Sequence, residues 1–267
     1  MIQDRPFTRA SLLTDFRACG VTAGRTVIVH CSMRQIGYVI GGAEALARAL
    51  LDAVGETGTV VVPAQSWRNL DPITGVHTLP SGGPLPETWW GMVRDHHPAF
   101  DPAWTPSVGM GALAELIRTH PRAERSPHPA RSFAAVGKEA AEICKTQPLE
   151  SPMGEGSPLA KLYDLGASVL LLGVGHERNT SLHLAEARTD YDGKRTLTES
   201  SAVFTNGERR WVSYEVVEPV SDDFGRLGAA FDAANGVQIG RVGRAEARLL
   251  PVRGLVDFAV DWMQEHR

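Results

Sequence analysis

Two patterns alternate along the chain. Short runs of continuous apolar residues read as strands buried on both faces, and longer stretches with an apolar residue every three or four positions read as helices with one buried face. Leu12, Leu13 and Phe16 recur at helical spacing between Thr8 and Gly20, so a first helix is predicted there with Thr8 as its cap. Val27 to Val29 predicts a strand, followed by a loop carrying Gly37, Gly41 and Gly42 and a helix from Ala43 to Val54. Gly58 to Pro63 predicts a second strand, parallel to the first if the helix between them is a right-handed crossover. Helices are then predicted over Gly109 to Thr119, Gly137 to Cys144 and Ser157 to Leu165, with a short strand from Ser132 to Val136. Val169 to Leu172 is a further buried strand. It stops at Gly173 and Gly175, and a helix is entered near Ser181 through a Thr or Ser cap.

After Asp190 the pattern becomes mixed in polarity. Lys194 to Phe204 and Arg209 to Val217 read as strands joined at Asn206-Gly207, a hairpin signal, and a helix from Phe224, a strand from Ala245 and a helix from Leu255 close the chain. Strand and helix alternate throughout, which predicts an α/β fold: three layers, α/β/α, with a mostly parallel central sheet and an antiparallel edge. Two segments stand apart. Residues 64–106 are rich in Pro, Gly and Trp with helical spacing only around Pro86 to Val93, and are expected to wall one side of a cleft. For any one tryptophan, packing of the loop against the core is the more ordinary reading. Residues 190–224 form the expected antiparallel, substrate-side segment. A length of 267 residues fits one domain over 1–267 with 64–106 as its insertion.

Composition narrows the partners. A formal charge of -4 argues against nucleic acid or an anionic membrane surface. Cys19, Cys31 and Cys144 are an odd number without CxxC spacing, which points away from a disulfide framework or a metal site and toward a reducing compartment. The start, MIQDRPFTRASLLTDF, is charged and broken by Pro6, so a cytoplasmic protein is expected.

Candidate chemistry gathers in three places. His183 follows the strand Val169 to Leu172, at the carboxyl end where open α/β sheets bind ligands. A core histidine between Leu182 and Leu184 is the competing reading. Arg125, Ser126 and His128, in RSPHP, place a guanidinium, a hydroxyl and an imidazole side by side, a combination suited to an anionic oxygen. The glycine loop after Val29 would offer backbone N–H groups to phosphates, though its spacing matches no nucleotide-binding fingerprint. Acids at Glu186, Asp190, Asp192, Glu215, Glu218, Asp222 and Asp223 are either a negative cleft for a cationic ligand or a solvated face.

Three ordered blocks carry a resemblance: VIVHCSMRQIGYVIGGAEALARALLDAVGETGTVVVP from Val27, TPSVGMGALAELIRTHPRAERSPHPARSFAAVG from Thr105, and SPLAKLYDLGASVLLLGVGHERNTSLHLAE from Ser157. Together they cover most of the chain, which resembles the aminoglycoside 3-N-acetyltransferase family. The resemblance implies an acetyl-CoA-dependent transferase, unrelated in fold to the GNAT acetyltransferases, that acetylates the 3-amino group of an aminoglycoside and confers resistance, as a monomer or homodimer. It implies His183, in SLHLAE, as general base and an acid at Glu218 as its partner, with Glu215 and Asp222 as alternatives. His30, Cys31, Ser32, Met33, Gly37, Tyr38 and Val39 would hold CoA, with Ser107, Arg125, Ser126 and His128 beside them. Asp71, Glu186, Asp190, Glu215 and Asp222 would bind the cationic acceptor. Cys31 departs from the family's two serines after the histidine.

A protonated amine needs a base before it can attack a thioester, and an imidazole backed by a carboxylate supplies one. His30 and Cys31 alternate on a strand and point to opposite faces, so Cys31 is expected to remain a thiol and transfer to be direct. Three alternatives stand beside this reading: an acetyltransferase acting on another small-molecule amine, a non-catalytic CoA- or nucleotide-binding module, which has no use for His183, and a hydrolase using Ser181 or Cys31, for which the chain lacks a GxSxG elbow at Ser181.

Overall fold

The buried strands need cover on both faces, and the helices supply it. The computed structural model describes residues 5–267; Met1 to Asp4, the charged start of the chain, lies outside them. In chain order come α1 (Arg9–Ala18), β1 (Thr26–Cys31), the single turn α2 (Met33–Ile36), α3 (Gly42–Val54) and β2 (Thr59–Pro63). The insertion holds two 3-10 turns, Trp67–Asn69 and Glu87–Trp89, and α4 (Trp90–His96). Next are α5 (Ala112–Arg118), β3 (Glu124–Arg125), β4 (Phe133–Gly137), α6 (Ala140–Cys144), α7 (Pro158–Asp164) and β5 (Ser168–Leu172). A 3-10 turn (His176–Arg178) leads to α8 (Leu182–Arg188), β6 (Thr196–Thr205), β7 (Glu208–Val217), α9 (Phe224–Asn235), β8 (Gly240–Val242), β9 (Ala245–Pro251) and α10 (Val252–His266).

Seven strands form one sheet in the order β3-β4-β2-β1-β5-β9-β8. The centre, β2-β1-β5, is parallel, while β4 pairs antiparallel to β2 and β3, and β9 antiparallel to β5 and β8. Five of the seven strands therefore run the same way, all but β4 and β9, in keeping with the expected mostly parallel sheet. Successive side chains of β1 split between two cores. Val27 and Val29 pack with Leu12, Leu46, Leu50 and Ile117 of α1, α3 and α5, whereas Ile28 packs with Ile143, Leu159, Leu182, Leu227 and Leu255 of α6 to α10. That is the three-layer arrangement, and it explains why the central strands read as unbroken apolar runs.

Thr8 caps α1 as expected, its hydroxyl accepting from Ser11 N. The hairpin expected after Asp190 is present as a sheet of its own, β6 with β7, rather than as an edge of the main sheet. Its turn has Asn206 and Gly207 at φ 53 and 81, the left-handed conformation a two-residue turn demands. The hairpin meets the insertion through a bridge between Leu70 and Ser201. The helical spacing at Pro86 to Val93 resolves into a 3-10 turn and α4, and β3 and β8, two and three residues long, are too short to leave a pattern. No helix among the described residues is long and apolar enough to cross a membrane.

Candidate active site

At the carboxyl ends of the parallel strands the chain opens into a cleft of about 710 Å³. His30 and Cys31 at the end of β1, Val62 and Pro63 at the end of β2, and the loop after β5 meet there, as the topology of an open α/β sheet requires. β5 can end where it does because Gly173 turns at φ 65, and a Cβ there would stand 2.5 Å from Gln35 Cβ. The chain then runs through Val174, Glu177, Arg178, Asn179 and Thr180, all on the cleft wall, into α8.

His183 lies on the first turn of α8 and lines the cleft with its side chain one-sixth exposed. Its Nδ1 faces Glu186 Oε2 at 2.7 Å, three residues along the same helix, and its ring leans on Phe224 with centroids 4.9 Å apart. The carboxylate assigns the proton to Nδ1 and leaves Nε2 to the cleft. Glu186 is buried, which by itself would raise its pKa. Hydrogen bonds from His183, Arg267 and the Val220 amide outweigh burial and hold it below the usual carboxylate range.

The acid on His183 is thus Glu186, and the expectation that Glu218 would occupy that position is corrected. A carboxylate three residues ahead on the helix reaches the imidazole without any long loop having to bring it there. Glu218 instead follows β7, with its backbone amide on Arg195 O. Glu186 in turn moves from the acceptor-binding group to the histidine.

Of the expected CoA residues, His30, Cys31, Ser32 and Met33 line the cleft. Burial, and after it the neighbouring His183, pull the His30 imidazole down to about 3, so it is neutral. Burial pushes the Cys31 thiol up to about 12, so it stays protonated. Gly37, Tyr38 and Val39 are not on the cleft wall. Phe7 takes up this loop instead, its N–H donating to Tyr38 O and its carbonyl accepting from Ile40 N.

The RSPHP residues are also elsewhere. Arg125 donates to Ser132 Oγ, Pro102 O, Thr105 O, Ala64 O and Ser66 Oγ, and its guanidinium lies 4.9 Å from the Phe100 ring centroid. Burial draws it down to about 9, still charged at neutral pH. Ser126 donates to Gln147 Oε1 and accepts from Phe133 N, while His128 Nδ1 accepts from Ala130 N and Arg131 N and Nε2 donates to Leu149 O. Both are fully buried and neither lines the cleft. This cluster is spent on the chain's own backbone and side chains and is not brought to the cleft wall with His30 to Met33. Ser107, similarly, spends its hydroxyl on Glu115 at 2.6 Å.

Among the remaining expected acceptor-binding acids, Asp71 is buried and forked to Arg94. Asp190, Glu215 and Asp222 are exposed and off the cleft wall, Glu215 accepting from Thr196 Oγ1. Other residues enter the site unannounced. Arg131 reaches the wall from a buried ion pair with Glu199 and lies 5.0 Å from the Trp67 ring centroid. Trp67 is the tryptophan of the insertion that lines the cleft, while Trp104 is exposed. Gly109 to Ala114 also line the cleft, for which the paired glycines Gly109 and Gly111 were the available signal.

Comparison with known proteins follows this geometry. Residues 28–264 match the family model described as aminoglycoside 3-N-acetyltransferase. The SPbeta prophage-derived aminoglycoside N(3')-acetyltransferase-like protein YokD of Bacillus subtilis is 40% identical over 96% of this chain and 92% of its own length. Its crystal structure superposes with a TM-score of 0.93, covering 99% of this chain and 96% of that one. Aminoglycoside N(3)-acetyltransferase VII of Streptomyces paromomycinus is 37% identical over 98% of this chain and 93% of its own. The structure of AAC-IIIb in binary complex with CoASH is 30% identical, with a TM-score of 0.84 over 98% and 97% of the two chains.

Proposed function

The chain belongs to the aminoglycoside 3-N-acetyltransferase family, and on that premise we propose that its cleft transfers acetyl from acetyl-CoA directly to the 3-amino group of an aminoglycoside, conferring resistance. The observation that carries this reading is the His183–Glu186 pair at 2.7 Å on the cleft wall. Glu186 orients the imidazole and stabilises its cation, and His183 Nε2 takes the proton of the incoming amine. Once the ammonium has given its extra proton to solvent, the neutral amine nitrogen forms its bond to the thioester carbon, the carbon–sulfur bond breaks, and the proton that His183 took from the amine passes to the departing thiolate. His30, Cys31, Ser32 and Met33 border the thioester. A thiol held at about 12 supplies no thiolate nucleophile, which supports one-step transfer over an acetyl-cysteine intermediate.

The exposed acids Asp190, Glu215 and Asp222, on a chain of formal charge -4, contribute a field that draws a polycation. We place the enzyme in the cytoplasm, where acetyl-CoA is made, acting as a monomer or homodimer. The test is mass spectrometry of an aminoglycoside panel incubated with acetyl-CoA and the enzyme. One added acetyl group on the 3-amino nitrogen is the expected result; acetylation elsewhere overturns the regiochemistry, and no acetylation overturns the reading.

A further inference from the structure

Behind the His183–Glu186 pair lies a third group that the transfer chemistry leaves unassigned. Arg267, the capping residue of α10, is almost fully buried, its side chain 7% exposed. Its Nη1 donates to Glu186 Oε1 at 2.7 Å. The same guanidinium reaches Asp223 Oδ2 through Nε at 2.8 Å and Asp223 Oδ1 through Nη2 at 2.6 Å, and Nη2 also donates to Val220 O at 2.8 Å. The plane lies 5.0 Å from the Tyr191 ring centroid and 5.8 Å from that of Phe224, the ring on which His183 leans. Glu186 Oε1 further accepts from Val220 N at 2.9 Å and faces Tyr191 OH at 3.4 Å. One oxygen of Glu186 is therefore saturated from behind. The other is left to the imidazole.

We infer that Arg267 is a positioning residue for acetyl transfer: its planar fork ties Glu186 to Asp223 and to the loop at Val220, and so fixes the carboxylate that aims His183 into the cleft. The geometry distinguishes this from a surface ion pair. A surface pair holds two mobile side chains in water and contributes little, whereas here a buried guanidinium bonds two carboxylates at once. Three stretches distant in sequence meet at this point: α8, the loop before α9, and the end of α10. Helix α10 thus has a connection to the chemistry besides its place in the core.

The inference rests on the transferase reading, and the experiment separates the two. Arg267→Gln and Arg267→Met, the second keeping an apolar stem of similar length, are compared with wild type for kcat, both KM values and the pH dependence of kcat. The titratable and charged groups around the pair are Arg267 from α10, Asp223 before α9, Tyr191 after α8, His30 of β1 toward His183, Arg131 and Glu150 lining a small pocket with both members, and Glu177 and Arg178 on the cleft wall. Removing the cation bonded to Glu186 favours the imidazolium, the inactive form of the base, so the acid limb moves to higher pH. A shift of roughly half a pH unit or more is expected. The loss of kcat should be about ten- to a hundredfold, the scale seen when a group supporting a working side chain from behind is removed, with KM for acetyl-CoA within about twofold. Arg267→Lys keeps the charge but not the fork, and should leave the limb in place while lowering kcat several-fold. Neutral variants with wild-type kcat, or a loss of kcat with an unmoved limb, would overturn the inference. If neither neutral variant folds, Arg267→Lys decides: wild-type kcat in it overturns the inference, and a lowered kcat at unchanged KM sustains it. Wild-type enzyme with no acetylation of any aminoglycoside would overturn the transferase reading instead, a result distinct from each of these.

Discussion

Arg125 to Pro129 and Thr180 to Glu186 look equally functional when written out. Each gathers a hydroxyl and an imidazole, the first adding a guanidinium and the second a carboxylate. In the fold they are opposites. Every polar atom quoted for the first is turned inward onto backbone or buried side chains, with His128 satisfied at both nitrogens. In the second, the carboxylate satisfies one nitrogen of His183 and the other is left facing a cleft. What separates a structural cluster from a reactive one is where the last lone pair points. Residue type does not decide it, because a buried polar group is stable only when paired and a base works only when one site is left for the substrate.

The comparison can be broken from either side. The largest effect is expected at His183: His183→Ala should lower kcat by roughly 10² to 10⁴ while leaving the unfolding midpoint close to wild type. Steady-state kinetics beside thermal unfolding would check both halves, and near wild-type turnover would remove the distinction. Arg125→Ala should do the reverse. Losing a guanidinium that serves three carbonyls and two hydroxyls should cost about 2 to 4 kcal/mol of stability, measured by urea unfolding. The KM for acetyl-CoA should stay within about twofold in the folded fraction, and a selective rise in it would return Arg125 to the cofactor.

A smaller effect tests the neutral imidazoles. Burial, followed by the neighbours His183 for His30 and Arg131 for His128, holds both imidazoles at about 3, well under the ordinary value of about 6.5. Below about 6.5 the unfolded chain takes up protons at these positions that the folded protein refuses. Their contribution is therefore complete at neutral pH and declines as pH falls from about 6.5 toward about 3. His128→Gln, which can accept and donate without titrating, should show less acid destabilisation between about pH 7 and pH 5 than wild type. An unchanged slope would mean that His128 is not held neutral.

The smallest effect is expected at Cys31. Cys31→Ser should keep kcat within about threefold, and wild-type enzyme mixed with acetyl-CoA alone should gain no acetyl group by intact-protein mass spectrometry. An acetylated protein together with an inactive serine variant would put the nucleophile on the cleft floor and overturn direct transfer.

The alternation of apolar runs and helical spacing was sufficient to determine an α/β layered fold, the buried central strands, the hairpin at Asn206-Gly207 and the placement of His183 at a strand's carboxyl end. These are local: a strand buried on both faces or a turn needing positive φ constrains its own residues whatever the rest of the chain does. The three blocks that resemble the family are equally contained in the sequence, and they carry the family membership. Tertiary structure alone decided which polar groups were already spent. That Arg125 anchors the insertion, that Asp71 is taken by Arg94, and that Arg267 stands behind the His183–Glu186 pair all depend on contacts between segments apart in sequence, whereas the choice of Glu186 over Glu218 is made within one turn of α8. Helical spacing could bring Glu186 and His183 to one face, since i and i+3 are neighbours there. It could not say that Arg267, 81 positions further on, would saturate the other oxygen of Glu186, because hydrogen-bond satisfaction belongs to the packed interior as a whole and leaves no periodic trace in the chain.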